Sequence, residues 1–308
     1  MMNKIVAVQG NHPSKLNPIT DTSVFLANEI QSKKYKIFYY DPKDLSVINS
    51  KVIAKGFFIK FDYTHKKFFK ILKKQKLDLT ECKFILIRQD PPFNLEYISA
   101  TYILDTIKDK VKIINNPTSI RNISEKLYSV KYQKYMPSTI FTQNIDEIKK
   151  FFKIHKKVIL KPIHSFSGND IHLLNKFDLK LIQRFIKQHD HIMCQKYLPK
   201  ISKGDKRVFL INGKVCGAIS RVPKKGSFLS NMSKGAKPIN IKLTKTENKI
   251  SKLIAKDLKK ENIYFSGIDF IDQKLNGDIN VTSPTGLKTL FDLSEINLAK
   301  TFWKDLKA

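Results

Sequence analysis

Asp269-Phe-Ile-Asp-Gln-Lys-Leu-Asn-Gly-Asp278-Ile-Asn280-Val-Thr-Ser-Pro-Thr-Gly286 hangs acidic and amide oxygens on two short apolar runs joined by a tight turn. Ile268 and Phe270 alternate with Asp269, the Asn276-Gly277 pair is expected to supply the hairpin turn, and Ile279 and Val281 leave the Asn280 side chain on the opposite face. Asp278 and Asn280, two apart on a strand, then point the same way. Hard oxygen ligands, few in number and leaving room for phosphates, are what Mg²⁺ takes when it arrives with a nucleotide. Taken alone, the pattern also fits an ordinary hairpin with polar residues facing water.

Upstream, Val158-Ile-Leu-Lys161-Pro delivers one ammonium from a buried strand end, and phosphate is its natural partner. The loop that follows, Ser165-Phe-Ser167-Gly168, can present backbone N–H groups to phosphate oxygens, although with a single Gly it also reads as a surface turn. Gln195-Lys196-Tyr197-Leu198-Pro199 reads either as a hinge whose backbone meets an adenine edge or as a strand running into a proline turn.

The first third of the chain alternates strand and helix signals: Lys4–Val8, a helix over Asp21–Ser32, Lys36–Tyr40, Phe84–Arg88, a helix over Leu95–Ile107, and Val111–Ile114. This predicts a doubly wound parallel sheet with helices on both faces and a ligand cleft beyond the strand carboxyl ends, where Gln9–Thr20 and Arg88–Asn94 lie. No Gly-x-Gly-x-x-Gly fingerprint follows Gly10. A boundary is expected near Asn115–Ser119. Beyond it come helices over Ile120–Tyr132 and ahead of His155, strands Val158–Lys161 and Ile171–Leu174, a helix Leu179–His189 and a strand His191–Tyr197. The last part reads as strands Arg207–Ile211 and Lys214–Arg221, a polar loop Lys224–Pro238, a helix Glu247–Lys259, the hairpin, and a final helix Leu287–Leu306.

The 308 residues carry a net charge of +30, which would ordinarily point to nucleic acid. Only five of the 57 basic residues are Arg, however, and the lysines are spread over the whole length without aromatic interleaving. No specific nucleic-acid partner is expected, only attraction for anions. In a chain that uses Lys almost everywhere, Arg is expected where a planar, permanently charged fork is required, which singles out Arg88, Arg121, Arg207 and Arg221, while Arg184 reads as surface. The three Cys are odd in number and lack metal-ligand or disulfide spacing. The first apolar run, Ile5–Val8, is too short for a signal peptide or a membrane span, so a cytoplasmic protein with no membrane partner is expected.

Arg88-Gln-Asp-Pro-Pro-Phe93, Asn116-Pro-x-Ser119-Ile-Arg121, Glu125-Lys126-Leu127, Ile159-Leu-Lys161-Pro162, Gln195-Lys-Tyr197-Leu198-Pro199, Gly204-Asp205-Lys206-Arg207, Arg221-Val-Pro223 and Ile279-Asn280-Val-Thr-Ser-Pro-Thr-Gly286 occur in this order. Together they resemble a bacterial-type glutathione synthetase of the ATP-grasp superfamily, over nearly the whole chain. The resemblance implies an α/β ATP-grasp fold with an amino-terminal doubly wound parallel-sheet domain. Residues 1–118 would form the substrate-binding domain, 119–200 the small ATP-grasp subdomain and 201–308 the carboxyl-terminal catalytic subdomain. It implies a ligase that joins γ-glutamylcysteine to glycine with ATP and Mg²⁺, Mn²⁺ being an alternative, through an acyl phosphate, and a homo-oligomer, a tetramer.

By the same resemblance, Lys126, Lys161, Ser167 and Gly168 hold ATP phosphates, Gln195, Lys196, Tyr197 and Leu198 the adenine, and Asp205 the region beside it. Asp269, Asp278 and Asn280 ligate the metal, and Arg207 and Arg221 are the catalytic cations. Asp21, Ser23, Arg88, Asn231, Ser283, Pro284, Thr285 and Gly286 contact substrate. Three departures stand out: the family's Asp-Gly-Met-Gly-Gly after Lys-Pro is His164-Ser-Phe-Ser-Gly168 here, its Arg-Gly-Asn is Leu229-Ser-Asn231, and its magnesium Glu is Asp278. These leave open a ligase for another acid and amine, or a nucleotide- or polyanion-binding protein without turnover.

Overall fold

The computed structural model describes residues 4–62, 68–165 and 168–308. Strand β1 (Ile5–Gln9) is buried throughout and leads to helix α1 (Thr22–Ser32), whose entry is capped by Asp21 accepting from the Val24 N–H at 2.8 Å. Strand β2 (Lys36–Tyr40) returns parallel to β1. Then come β3 (Leu45–Ile48), β4 (Lys51–Phe61) and β5 (Phe69–Asp78), all antiparallel to their neighbours. After them β6 (Phe84–Ile87), α2 (Leu95–Asp105) and β7 (Lys112–Ile114) resume the parallel pattern. The order is β3-β4-β2-β1-β6-β7, with β5 on the free side of β4, and α1 and α2 cover opposite faces.

The expected parallel sheet with helices on both faces is present as β2-β1-β6-β7, and β3–β5 extend it as an antiparallel addition. The reading had no element between Tyr40 and Phe84. There Asn49 and Ser50 form the turn with positive φ (48° and 61°), and β5 is an edge strand whose exposed Lys70, Lys73, Lys74 and Lys76 blur any apolar alternation.

After β7, α3 (Pro117–Asn122) stops at Ile123, which is extended, and Leu127–Tyr135 forms 3-10 turns, so the predicted continuous helix is absent. Tertiary pairing overrides helix propensity here: the Glu125 carbonyl accepts from the Ile279 N–H at 2.9 Å, which a helix could not allow. Strand β8 (Thr139–Thr142), helix α4 (Ile145–His155), β9 (Val158–Pro162), β10 (His172–Leu174), α5 (Leu179–His189) and β11 (Ile192–Lys196) make a four-stranded antiparallel sheet, ordered β10-β9-β11-β8. Ile148, Phe151, Ile182 and Phe185 of its helices pack on Val158, Leu160 and Ile192.

The third sheet contains β12 (Asp205–Ile211), β13 (Lys214–Val222) and β14 (Lys237–Asn240). Helix α6 (Lys245–Lys260) begins with a capping box between Thr244 and Glu247 and precedes β15 (Phe265–Ile271) and β16 (Lys274–Asn280). The order is β14-β13-β12-β15-β16, antiparallel throughout.

The hairpin turn lies at Asp272-Gln273, both at positive φ (46° and 62°), and not at Asn276-Gly277 as the sequence suggests. Gly277 sits inside β16 at φ +88°, where an added Cβ would lie 2.4 Å from Met193 Cε. That glycine serves close strand approach rather than the turn. The face of β16 carrying Asn276, Asp278 and Asn280 is preserved, because residues two apart still alternate with buried Leu275, Gly277 and Ile279.

The single terminal helix of the sequence reading is two helices, α7 (Leu287–Ser294) and α8 (Leu298–Asp305), divided at Glu295 with φ +59°. Asn297 caps the second by accepting from Lys300 N–H at 3.0 Å. Trp303 of α8 is fully buried and donates from Nε1 to the Leu26 carbonyl at 2.8 Å, tying the chain's end to α1. Phe209, Ile219 and Phe265 of the third sheet share this core with Val6, Val8 and Val24. The first and third sheets are thus locked together, and the loop after β16 is placed against the start of α1. Among the described residues no helix is long and apolar enough to cross a membrane.

Candidate active site

The four-stranded and five-stranded sheets enclose a cavity of about 620 Å³, within the range of small-molecule sites, whose far end is made by loops of the first sheet. Strand register builds its floor. Asp205 and Arg207, two apart on β12, share a face; Arg221 on β13 is directly opposite Asp205, and Asp269 on β15 is directly opposite Arg207. Arg207 donates from Nε to Asp269 Oδ1 at 2.8 Å and from Nη2 to Oδ2 at 2.6 Å. Arg221 donates from Nε to Asp205 Oδ1 at 2.8 Å, grips the second oxygen of Asp205 through Nη2, and stands 3.1 Å from Asp269 Oδ2.

All four side chains are buried. Burial alone would push the Asp269 carboxyl up, but Arg207 and Arg221 outweigh it and hold the group well below the usual carboxylate range. A guanidinium carries five N–H groups, and Nη1 of each arginine has no protein partner among the described residues. Both arginines line the cavity. The quartet is neutral as a whole yet keeps donors for an anion.

Two lysines rise beside it. Lys161 Nζ donates to the Asn276 carbonyl at 3.0 Å and to Asn276 Oδ1 at 2.9 Å, with Asp278 Oδ2 at 3.6 Å. Burial pushes this ammonium below its ordinary value, Asp278 opposing and Lys126 adding to the effect. Lys126 Nζ donates to the Ser165 carbonyl at 2.9 Å and stands 3.6 Å from Asp278 Oδ1. Asp278 is therefore approached by two ammonium groups without a close contact to either.

Asp269, Asp278 and Asn280 all line the cavity from adjacent strands. No cluster of three His, Cys, Asp or Glu occurs among the described residues, so a softer, all-protein metal cage is not present there. Two carboxylates and one amide suit Mg²⁺, which keeps most of its shell for water and phosphate. Asp269 fits this use: its four lone-pair positions receive three protein contacts, leaving one on Oδ1. Asn280 directs Nδ2 to the Gly267 carbonyl at 3.1 Å, which leaves its oxygen available to a cation.

Gln195, Lys196, Tyr197 and Leu198 line one wall, the Gln195 amide being pinned by donation to Thr139 Oγ1 at 2.9 Å. At the far end Asp21, Ser283, Thr285 and Gly286 line the cavity, with Lys15, Asn17 and Thr20 from the loop after β1. Arg88, Ser23 and Pro284 come together as expected, Arg88 donating from Nε to Ser23 Oγ at 3.0 Å and from Nη2 to the Pro284 carbonyl at 3.1 Å. They stand behind the lining residues, where Arg88 ties the loop carrying Pro284 to the start of α1. Burial lowers its affinity for its proton.

Gly168 and Asn231 both line the cavity and meet: Gly168 has φ +71°, and a Cβ there would fall 2.3 Å from Asn231 Oδ1. Lys234 Nζ adds a bond to Asn169 Oδ1 at 2.8 Å, joining the same two loops. Ser167 lies outside the described residues.

Residues 5–121 match the model "Prokaryotic glutathione synthetase, N-terminal domain", and residues 125–295 match "Prokaryotic glutathione synthetase, ATP-grasp domain". The chain belongs to the prokaryotic glutathione synthetase family. Glutathione synthetases of Brucella melitensis and Agrobacterium fabrum are 34% and 32% identical to it, covering 98% and 97% of this chain and 98% and 95% of their own. That of Buchnera aphidicola is 34% identical over 96% of this chain and 93% of its own. Among solved structures, the ATP-grasp ligase PsnB with a phosphomimetic precursor variant, Mg and ADP superposes with a TM-score of 0.66 at 12% identity, over 99% of this chain and 98% of its own. D-alanyl-alanine synthetase A of Vibrio cholerae gives 0.63 at 16%, over 96% and 94%. These likenesses establish the ATP-grasp fold.

As a glutathione synthetase family member the chain is an ATP-dependent ligase that forms glutathione, and the alternatives of another ligase specificity or a binding protein without turnover are not favoured. Its departures from the family pattern have visible consequences. Leu229 lines the cavity where the family carries Arg. Glu125 and Asp90 also line it. The sequence does not single out either, since neither an acidic residue beside Lys126 nor one after Arg88 is distinguishable by spacing from a solvated side chain.

Proposed function

We propose that this chain activates γ-glutamylcysteine with ATP and captures it with glycine, using the cavity residues in these roles. Lys126, Lys161, Ser167 and Gly168 hold the ATP phosphates. Gln195, Lys196, Tyr197 and Leu198 hold the base, beside Asp205. Asp269, Asp278 and Asn280 hold Mg²⁺, with Mn²⁺ able to replace it. When bound, the ion screens phosphate oxygens and keeps the triphosphate in line.

Arg207 and Arg221 meet the transferring phosphoryl group through their spare Nη1 donors. The cysteinyl carboxylate oxygen forms a bond to the γ-phosphorus while the bridging bond to ADP breaks. Glycine's amine then bonds to the acyl carbon, phosphate leaves with the former carboxylate oxygen, and the amine's extra proton passes to solvent. Because phosphoryl transfer is largely a matter of positioning and charge, a site of fixed cations without a nucleophilic side chain is suited to it. Asp21, Asn231, Ser283, Thr285 and Gly286 form the peptide end, while Ser23, Arg88 and Pro284 shape it from behind.

The observation that carries this reading is the convergence of Lys161, Arg207, Arg221 and Asp278 on one cavity from two different sheets. We assign residues 1–118, 119–200 and 201–308 as the three functional units, a homotetramer as the assembly and the cytoplasm as the location, on the strength of the family relationship. The test is phosphate release from ATP with purified protein. Release that requires γ-glutamylcysteine and glycine together is expected; release with other acid and amine pairs but not this one refutes the assignment.

A further inference from the structure

The side chain of Glu125 is placed where the amino-terminal half of the catalytic region touches the metal strand. Its Oε1 accepts from the Val281 N–H at 2.8 Å, the Thr282 N–H at 3.0 Å and the Thr282 hydroxyl at 2.9 Å. Its own carbonyl accepts from the Ile279 N–H at 2.9 Å. Four bonds therefore fix residues 279–282, the segment that carries Asn280 and leads to Ser283. The next residue, Lys126, reaches in the other direction, to the Ser165 carbonyl and towards Asp278. One dipeptide thus joins the phosphate loop to the strand bearing Asp278 and Asn280.

We infer that Glu125 is a positioning residue for the metal-nucleotide complex. It touches the strand and need not touch the nucleotide or the ion. A carboxylate is the side chain able to accept three donors on one oxygen while staying charged, and charge-assisted bonds to backbone N–H groups are shorter and stronger than neutral ones. The end of β16 has no further ladder partner at Val281 and Thr282, so without Glu125 these N–H groups would have to find others. Loosening them moves Asn280 relative to Asp269 and Asp278, and an ion needing near-octahedral geometry at short distance is the ligand most sensitive to such a shift. Nucleotide contacts made without the ion, to Lys161 and to the wall at Gln195–Leu198, do not pass through this segment, and the Lys126 ammonium is held separately by the Ile163 and Ser165 carbonyls.

The inference rests on the metal assignment above, and the experiment separates the two. ADP binding to the intact protein is measured by calorimetry with EDTA and with saturating Mg²⁺, for wild type, Glu125→Ala, Glu125→Gln and Asp278→Ala. Wild type should bind ADP more tightly with Mg²⁺. Glu125→Ala should lose most of that gain, about tenfold if one to two net hydrogen bonds' worth of ordering is lost, with EDTA affinity changed less than about twofold. Glu125→Gln, which keeps an acceptor oxygen, should recover most of it.

Equal losses with and without Mg²⁺ in Glu125→Ala, or an unchanged Mg²⁺ gain, overturn the inference. Absence of any Mg²⁺ gain in wild type, or its survival in Asp278→Ala, overturns the metal assignment instead. Should Glu125→Ala fail to fold, Glu125→Gln decides alone: a Mg²⁺ gain mostly kept but measurably reduced at unchanged EDTA affinity supports positioning, and equal losses with and without Mg²⁺ refute it.

Discussion

Arg207 and Asp269 face each other across neighbouring strands and are bidentate partners at 2.8 and 2.6 Å, both buried. Removing one member leaves the other charge in the interior. Arg207→Ala is therefore expected to lower folding stability by about 3 kcal/mol as well as abolish turnover. Asp278→Asn should suppress turnover comparably while changing stability by about 1 kcal/mol or less, because its lysine contacts are at 3.6 Å and its side chain is 23% exposed. Urea denaturation beside steady-state kinetics tests the contrast, and similar stability losses in both variants would refute it.

Acid should reveal the same quartet. The folded state holds Asp269 below its unfolded value, so its contribution is complete above the ordinary carboxylate pKa of about 3.9 and is lost as pH falls towards the folded value. Stability should decline more steeply below about pH 4 in wild type than in Asp269→Asn at moderate salt. Parallel acid limbs for the two proteins would count against a strongly depressed Asp269.

Alkali should weaken nucleotide binding earlier than an ordinary lysine predicts. Burial lowers the Lys161 pKa, so its proton leaves below about 10.4, and the phosphate contact weakens as it does. ADP affinity measured across the alkaline range should fall in wild type. Lys161→Met should bind more weakly at neutral pH and lack that limb; retention of the full limb would assign it to another group.

Gly168→Ala should raise the KM for ATP with little effect on the thermal midpoint. The residue needs positive φ and has Asn231 at the place of its missing Cβ, yet it lines the cavity and contributes to no core. Asn231→Ala in the same chain removes the collision but not the φ strain, so only part of the KM increase should be reversed. Complete reversal would show that backbone strain is unimportant at this loop.

The parts of the fold legible in sequence were those with a local cause. Helix Leu179–His189 agrees residue for residue because Asp178 caps it and Ile182 and Phe185 fall on one face. The pairing of Arg207 with Asp269 needed strand register, which the sequence does not state, although two-residue spacing did place Asp205 and Arg207 on one face. The β3–β5 extension escaped notice because charge covers its edge, and the Asn276-Gly277 dipeptide misled because a glycine required for packing against Met193 looks the same as one required for a turn. Arg88 lies with Ser23 and Pro284, as the resemblance implies, but its bond to a carbonyl 196 residues away depends on packing that local sequence does not state.

The most direct test of the account follows the carboxylate oxygen. With γ-glutamylcysteine carrying heavy oxygen in its cysteinyl carboxylate, one labelled oxygen should appear in each phosphate released as glutathione forms, since the acid is activated as an acyl phosphate and that oxygen departs with the leaving group. Glutathione formation with unlabelled phosphate would contradict activation by phosphoryl transfer in this cavity.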